Sequence, residues 1–217
     1  MIIAVCHQKG GTGKTTLSTS LACEFESRGQ SVLLIDADPQ GSSNTWRIAA
    51  ESDEGLPTVL ALPNDSMHRK GQLDRASSGY THTVIDCPPA LGKITRSALM
   101  AAQVVMIPSP PNATDIWALN DTLELIADAQ QFNEQLRPFI VVMRRQGNSK
   151  GADAGERALR AQAEEVGCPV LNTVIHSRVA WSNAMLNGSF VGEYEPGGKA
   201  AKELKKVVDE LLDEVSQ

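Results

Sequence analysis

Cysteine is sparse in this sequence, and the four that occur, Cys6, Cys23, Cys87 and Cys168, form no C-x-x-C pair. A disulfide framework is thereby excluded, and reduced cytosolic thiols are expected. Long apolar runs are missing as well: none approaches the roughly 20 residues that cross a bilayer. The first residues are strand-like, with no basic region ahead of a long apolar one, so no signal peptide is predicted. Basic charge is outnumbered, with 20 Lys and Arg against 26 Asp and Glu and a formal net charge of −6. The chain is no polycation, and any contact with DNA must use a local patch. His7, His68, His82 and His176 show no metal-ligand spacing. These absences describe a soluble, cytoplasmic protein.

What the sequence does have is 41% hydrophobic residues in a chain of 217. That is enough for one core, and residues 1–217 are read as a single domain. Apolar runs rich in β-branched residues recur at 2–6, 31–35, 83–85, 104–107, 139–143 and 170–175. Each is apolar on both faces, as a strand buried in a parallel sheet must be. Helical patterns at 15–28, 116–131 and 154–166 lie between most of them, which predicts an α/β fold with a doubly wound, mostly parallel sheet flanked by helices. Ala200, Leu204, Val207 and Leu211 then recur at helical spacing opposite a charged face. The stretch 46–79 is the least legible and is assigned no chemistry. The stretch 147–155, with Ser149, Lys150 and Asp153, reads as a surface loop.

The first apolar run leads into Lys9-Gly10-Gly11-Thr12-Gly13-Lys14-Thr15-Thr16 and then a helical pattern. Strand, Gly-rich turn and helix together are the context that makes a P-loop match credible. The glycines let successive N–H groups turn inward, and a helix beginning near Lys14 directs its positive dipole end at phosphate. On this reading residues 9–16 bind ATP. Lys14 lies against the β- and γ-phosphates, Thr15 places its hydroxyl on Mg²⁺, and Thr16 contacts the α-phosphate.

Two further apolar runs end in acids. Asp36 and Asp38 close the run Leu33-Leu34-Ile35, and alternation puts both on one side, at the strand edge where ligands gather in open α/β sheets. Asp86 ends Thr83-Val84-Ile85 in a Walker B arrangement and would hold Mg²⁺ through water, with Pro88 and Pro89 stiffening a phosphate-sensing loop. Taken singly, each aspartate is equally a turn residue; the order of the three elements is what points to a nucleotide site. No guanine-reading N-K-x-D or T-K-x-D motif occurs, which favours ATP over GTP.

Gln8 stands where the strict G-x-x-x-x-G-K-[ST] pattern wants glycine, leaving K-G-G-x-G-K-T-T with an extra lysine at the start of the loop. This signature resembles the ParA/MinD-type deviant Walker A ATPases, and the D-x-D-P-Q run at 36–40 is similar to their partition members. The resemblance spans nearly the whole chain and is nearest to small ParA-like proteins without an N-terminal helix-turn-helix. It implies an ATP-dependent homodimer in which Lys9 crosses the two-fold axis to the partner's phosphates. Lys9, Lys14 and Asp38 then carry catalysis, Asp38 by orienting water, while Thr15, Asp36 and Asp86 serve the metal. Arg144 is nominated for the adenine; a plain surface arginine is the alternative. Nonspecific DNA contacts fall on Arg178 and Lys199, extended by Lys202, Lys205 and Lys206, and a solvated helix face explains those last three equally well. A ParB-like or cargo-specific adaptor that stimulates slow hydrolysis, and association with the nucleoid when ATP is bound, complete the expectation. The acidic polar face of the last helical segment opposes membrane attachment. A nucleotide-dependent scaffold without functional DNA binding is the competing reading.

Overall fold

The computed structural model describes residues 1–147 and 150–216; Ser149, from the expected loop, lies outside them. Six strands, β1 (Ile2–Val5), β2 (Val32–Asp36), β3 (Thr58–Ala61), β4 (His82–Asp86), β5 (Val104–Ser109) and β6 (Arg137–Val142), form one sheet in the order β3-β2-β4-β1-β5-β6. Every pairing is parallel. Around it run α1 (Lys14–Ser27), α2 (Ser42–Ile48), α3 (Leu73–Ala76), α4 (Lys93–Ala101), α5 (Ala113–Gln130), α6 (Lys150–Glu165), α7 (Val179–Leu186), α8 (Val191–Tyr194) and α9 (Lys199–Ser216). The expected doubly wound α/β architecture is what the chain adopts.

Period-two alternation sorts each strand between two cores. Ile3 and Val5 join Leu17, Leu21 and Phe25 of α1 and Leu204, Val207 and Leu211 of α9 on one face. Ala4 and Cys6 join Leu99 of α4, Leu119 of α5 and Leu159 of α6 on the other. Leu17, Leu21 and Phe25, each one helical turn from the next, are fully buried, and truncating Phe25 to Ala should cost about 3–5 kcal/mol. All four cysteines are free and buried.

Two expectations from sequence need correcting. The run 170–175 forms no strand of the sheet: it makes one isolated bridge, Ile140↔Val170, and a second, Arg145↔His176, falls just beyond it. Leu171 and Ile175 donate to the β6 carbonyls of Ile140 and Val142, but between them the Glu210 carboxylate takes the N–H groups of Asn172 and Thr173, which interrupts the ladder. Residues 150–155 are the first turns of α6 and not loop, because Asp153 and Glu156 bind the buried Arg145 guanidinium and fasten the helix start to the sheet. The illegible stretch holds β3, an edge strand with three of four residues exposed, so it carries little apolar signal.

Candidate nucleotide site

β1 lies between β4 and β5, so the turn leaving its carboxyl end opens at the reversal in strand order, where open α/β sheets place ligands. That turn is the Gly-rich loop. Gly11 and Gly13 have φ of 78° and 105°, a region that L side chains enter only under strain. A Cβ on Gly13 would also sit 2.9 Å from Met143 Cε, so the end of β6 packs directly against the loop. Gly13 caps α1 without any side-chain bond to the first-turn N–H groups, which leaves them as donors for an anion.

The loop borders a cavity of about 810 Å³ that also meets Lys14, Thr15, Thr16, Asp38 and Arg144. Lys14 is buried, and its Nζ donates to the Lys9 carbonyl at 3.1 Å. Desolvation lowers its pKa, while Asp86 pulls the other way. Lys9 is not among the cavity's lining residues. Its Nζ stands 2.8 Å from Asp115 Oδ1 and donates to Thr114 Oγ1 at 2.8 Å, both in the first turn of α5. The loop's two lysines thus face different surroundings. His7 accepts the Lys9 N–H at Nδ1 (3.0 Å), and burial, then Lys14, pushes its pKa down to about 4.

The three aspartates do not behave alike. Asp86 pairs with Val5 in the register of β4 and β1 and is almost fully buried. Its Oδ1 accepts from Ser18 Oγ at 3.2 Å and its Oδ2 from Ser43 Oγ at 2.8 Å. Desolvation pushes its pKa up to about 6 against these bonds and one from Thr15. Asp36 instead secures backbone: Oδ1 takes the Asp38 N–H at 3.2 Å and Oδ2 the Asn44 N–H at 2.8 Å, the latter in the first turn of α2. Its pKa is raised, by burial first. Asp38 is half-buried, borders the cavity, and accepts the Gln40 N–H at 3.0 Å.

These residues suit Mg²⁺. A hydroxyl and buried carboxylates are hard oxygen donors, and a carboxylate that burial has made reluctant to ionise gains from a cation nearby. No cage of three or more His, Cys, Asp or Glu occurs among the described residues.

The remaining sequence candidates separate. Arg144 reaches the phosphate loop: its NH1 donates to the Gly11 carbonyl at 2.6 Å. Arg178 borders the cavity and is held in its own chain, NH2 lying 2.5 Å from Glu203 Oε1, an oxygen shared with His176 Nδ1 at 2.9 Å. Lys199, Lys202, Lys205 and Lys206 are exposed on α9, on the side away from Leu204, Val207 and Leu211. Sequence reasoning missed Asp115, Ser18 and Ser43. Ser18 had one available signal, its position four residues after Lys14 and hence on the same helix face.

Fold and site together define a P-loop ATPase. Residues 3–191 match the CobQ/CobB/MinD/ParA nucleotide binding domain, and the chain belongs to that family. It is 33% identical over 212 residues to the maintenance of carboxysome distribution protein A of Halothiobacillus neapolitanus, covering 97% of this chain and 95% of that one. Among solved structures it resembles apo McdA of Cyanothece (TM-score 0.80, 18% identity, 97% and 98% covered). It also resembles the cobyrinic acid a,c-diamide synthase of Mycobacterium smegmatis solved with an ATP analogue and magnesium (0.77, 24%, 97% and 93%). Among the described residues no helix is long and apolar enough to cross a membrane.

Proposed function

We propose that the chain binds Mg²⁺-ATP, dimerises through it, and uses slow hydrolysis as a timer for positioning a large cytoplasmic cargo. The observation that carries this is the division of labour between the loop's lysines: Lys14 borders the cavity, whereas Lys9 stands outside it. A cation placed at the loop but off its own cavity is suited to neutralising phosphates held by a second copy. In this reading Thr15 and Asp86 hold Mg²⁺, with Asp36 fixing the loop between β2 and α2. The metal would neutralise charge on the phosphates. Residues 9–16 bind phosphate and Asp38 orients water.

The relative at 33% identity, named for carboxysome distribution, favours a protein assembly as cargo; a plasmid or chromosome is the alternative. An adaptor bound to the cargo would accelerate hydrolysis. ATP dimers would hold nucleoid DNA nonspecifically through Lys199, Lys202, Lys205 and Lys206, since doubling a small patch multiplies phosphate contacts. The ion pair between Arg178 and Glu203 favours the scaffold reading for that one residue.

Sedimentation with ATP tests the core of the proposal. Wild-type protein should shift from monomer to dimer, and Lys9→Ala should remain monomeric while still binding ATP. A Lys9→Ala variant that dimerises as wild type does would refute the role in trans. A DNA shift that ignores nucleotide would end the reading in which ATP dimers hold nucleoid DNA and leave the scaffold.

A further inference from the structure

Arg144 is the one non-glycine residue with positive φ among the described residues, at 56°. A left-handed backbone costs an ordinary side chain on the order of 1 kcal/mol and survives only where the surroundings over-determine it. Both neighbours are pinned. The Met143 N–H donates to Ser109 O at 3.0 Å, the Arg145 N–H to Ile175 O at 3.1 Å, and the Ser177 N–H to Arg145 O at 2.9 Å. The Arg145 side chain, nearly buried, is tied to Glu156 at 2.9 Å and to Asp153. The chain is therefore forced through the left-handed region at 144, and this turn delivers the guanidinium to the Gly11 carbonyl.

That carbonyl matters because a phosphate loop works by presenting N–H groups and turning its C=O groups away from the anion. A donor holding Gly11 O fixes the peptide plane. The guanidinium retains further N–H donors and its charge beside the same cavity as Lys14. We infer that Arg144 is a positioning residue for the phosphate loop, acting on the polyphosphate end of the ligand and not on its base. The inference rests on the nucleotide reading of the site.

Calorimetric titration of the full chain with ATP and with inorganic tripolyphosphate, in Mg²⁺, separates the two ends. Tripolyphosphate has no base to stack. Arg144→Ala should weaken both ligands by the same factor, about tenfold or more, the scale of a lost charged hydrogen bond. Arg144→Gly is the second variant, since glycine adopts φ near 56° without strain; it should fold at least as stably by thermal denaturation and show the same paired loss. Unchanged tripolyphosphate affinity in Arg144→Gly, whether or not ATP binding falls, overturns the inference. Wild-type protein that took up no ATP would remove the nucleotide reading and the inference together, whereas variants binding as wild type does remove the inference alone.

Discussion

Lys9 Nζ lies 2.8 Å from Asp115 Oδ1, so the lysine that opens the phosphate loop is paired within its own chain to the first turn of α5. The lysine side chain keeps 37% of its exposure and the aspartate only 8%, which places the pair between a solvated and a buried one. Lys9→Ala should cost about 1–2 kcal/mol without nucleotide, because it strands a carboxylate that water hardly reaches. A double-mutant cycle with Asp115→Asn, read by urea denaturation, should return coupling of roughly 1 kcal/mol; no coupling would mean the pair is idle.

The same pair competes with any use of Lys9 in trans. Asp115→Asn removes the competing charge while keeping an oxygen to accept from the Asn112 amide. It should therefore dimerise at lower ATP concentration than wild type, by a few-fold, in a sedimentation titration. An unchanged midpoint would show that Lys9 is not held back by Asp115.

Asp86 carries a conflict between stability and chemistry. Its folded pKa is raised from 3.8 to about 6. The sign follows: the folded state binds the proton more tightly, so this contribution is full below pH 3.8 and is lost as pH rises through about 6. Asp86→Asn removes that loss and leaves Ser18 and Ser43 with an oxygen and an amide to bond. At pH 8 without metal the variant should be more stable by about 1–3 kcal/mol, while Mg²⁺-dependent hydrolysis is abolished. Melting temperature and phosphate release measure the two halves, and a destabilised variant would contradict the first.

How far the sequence reaches is visible in these residues. The glycines at 11 and 13 announce themselves because backbone geometry leaves few alternatives, and β1 and the other interior strands do so because burial on both faces demands apolar runs. Asp86 is legible as the end of such a run. Asp115 and Ser43 are not, since their roles depend on α5 and α2 being brought over the carboxyl edge of the sheet, a tertiary fact. Arg144 is legible as a residue but not in its role: the left-handed turn that aims it is imposed by Ser109, Ile175 and Ser177, distant in sequence. β3 escapes notice because an exposed edge strand needs no apolar run.

His82 should make the fold acid-sensitive. Its ring stacks on Phe25 at 4.4 Å between centroids, both nitrogens are buried without a hydrogen-bond partner, and burial lowers its pKa from 6.5 to about 4. The unfolded chain binds a proton that the folded chain refuses between those values. Stability is thus fully present above pH 6.5 and declines as pH falls towards 4, by up to ~3 kcal/mol from this residue. Asp86 has the opposite slope over pH 4–6, so the contrast between wild type and His82→Leu isolates the histidine. Melting temperatures of wild type and His82→Leu should converge as pH rises towards 7 and separate as it falls to 4.5, with His82→Leu gaining relative to wild type. Parallel curves would exclude it.

Glu203 is the acid that silences Arg178. Its two carboxylate oxygens take the Arg178 guanidinium and the His176 N–H and ring, and it projects from α9 between the turns that carry Lys199, Lys202 and Lys206. Glu203→Gln removes one negative charge from the middle of the proposed DNA face and loosens one cation there. If ATP dimers bind DNA through that face, the variant should bind nonspecific duplex more tightly, and log affinity against log salt should steepen by about 1 for each additional phosphate neutralised per protomer. Lys199→Ala and Lys202→Ala should shift affinity and slope the other way. Should Glu203→Gln leave both affinity and salt slope where they were, α9 is a solvated helix face, and the cargo is held by protein contacts alone.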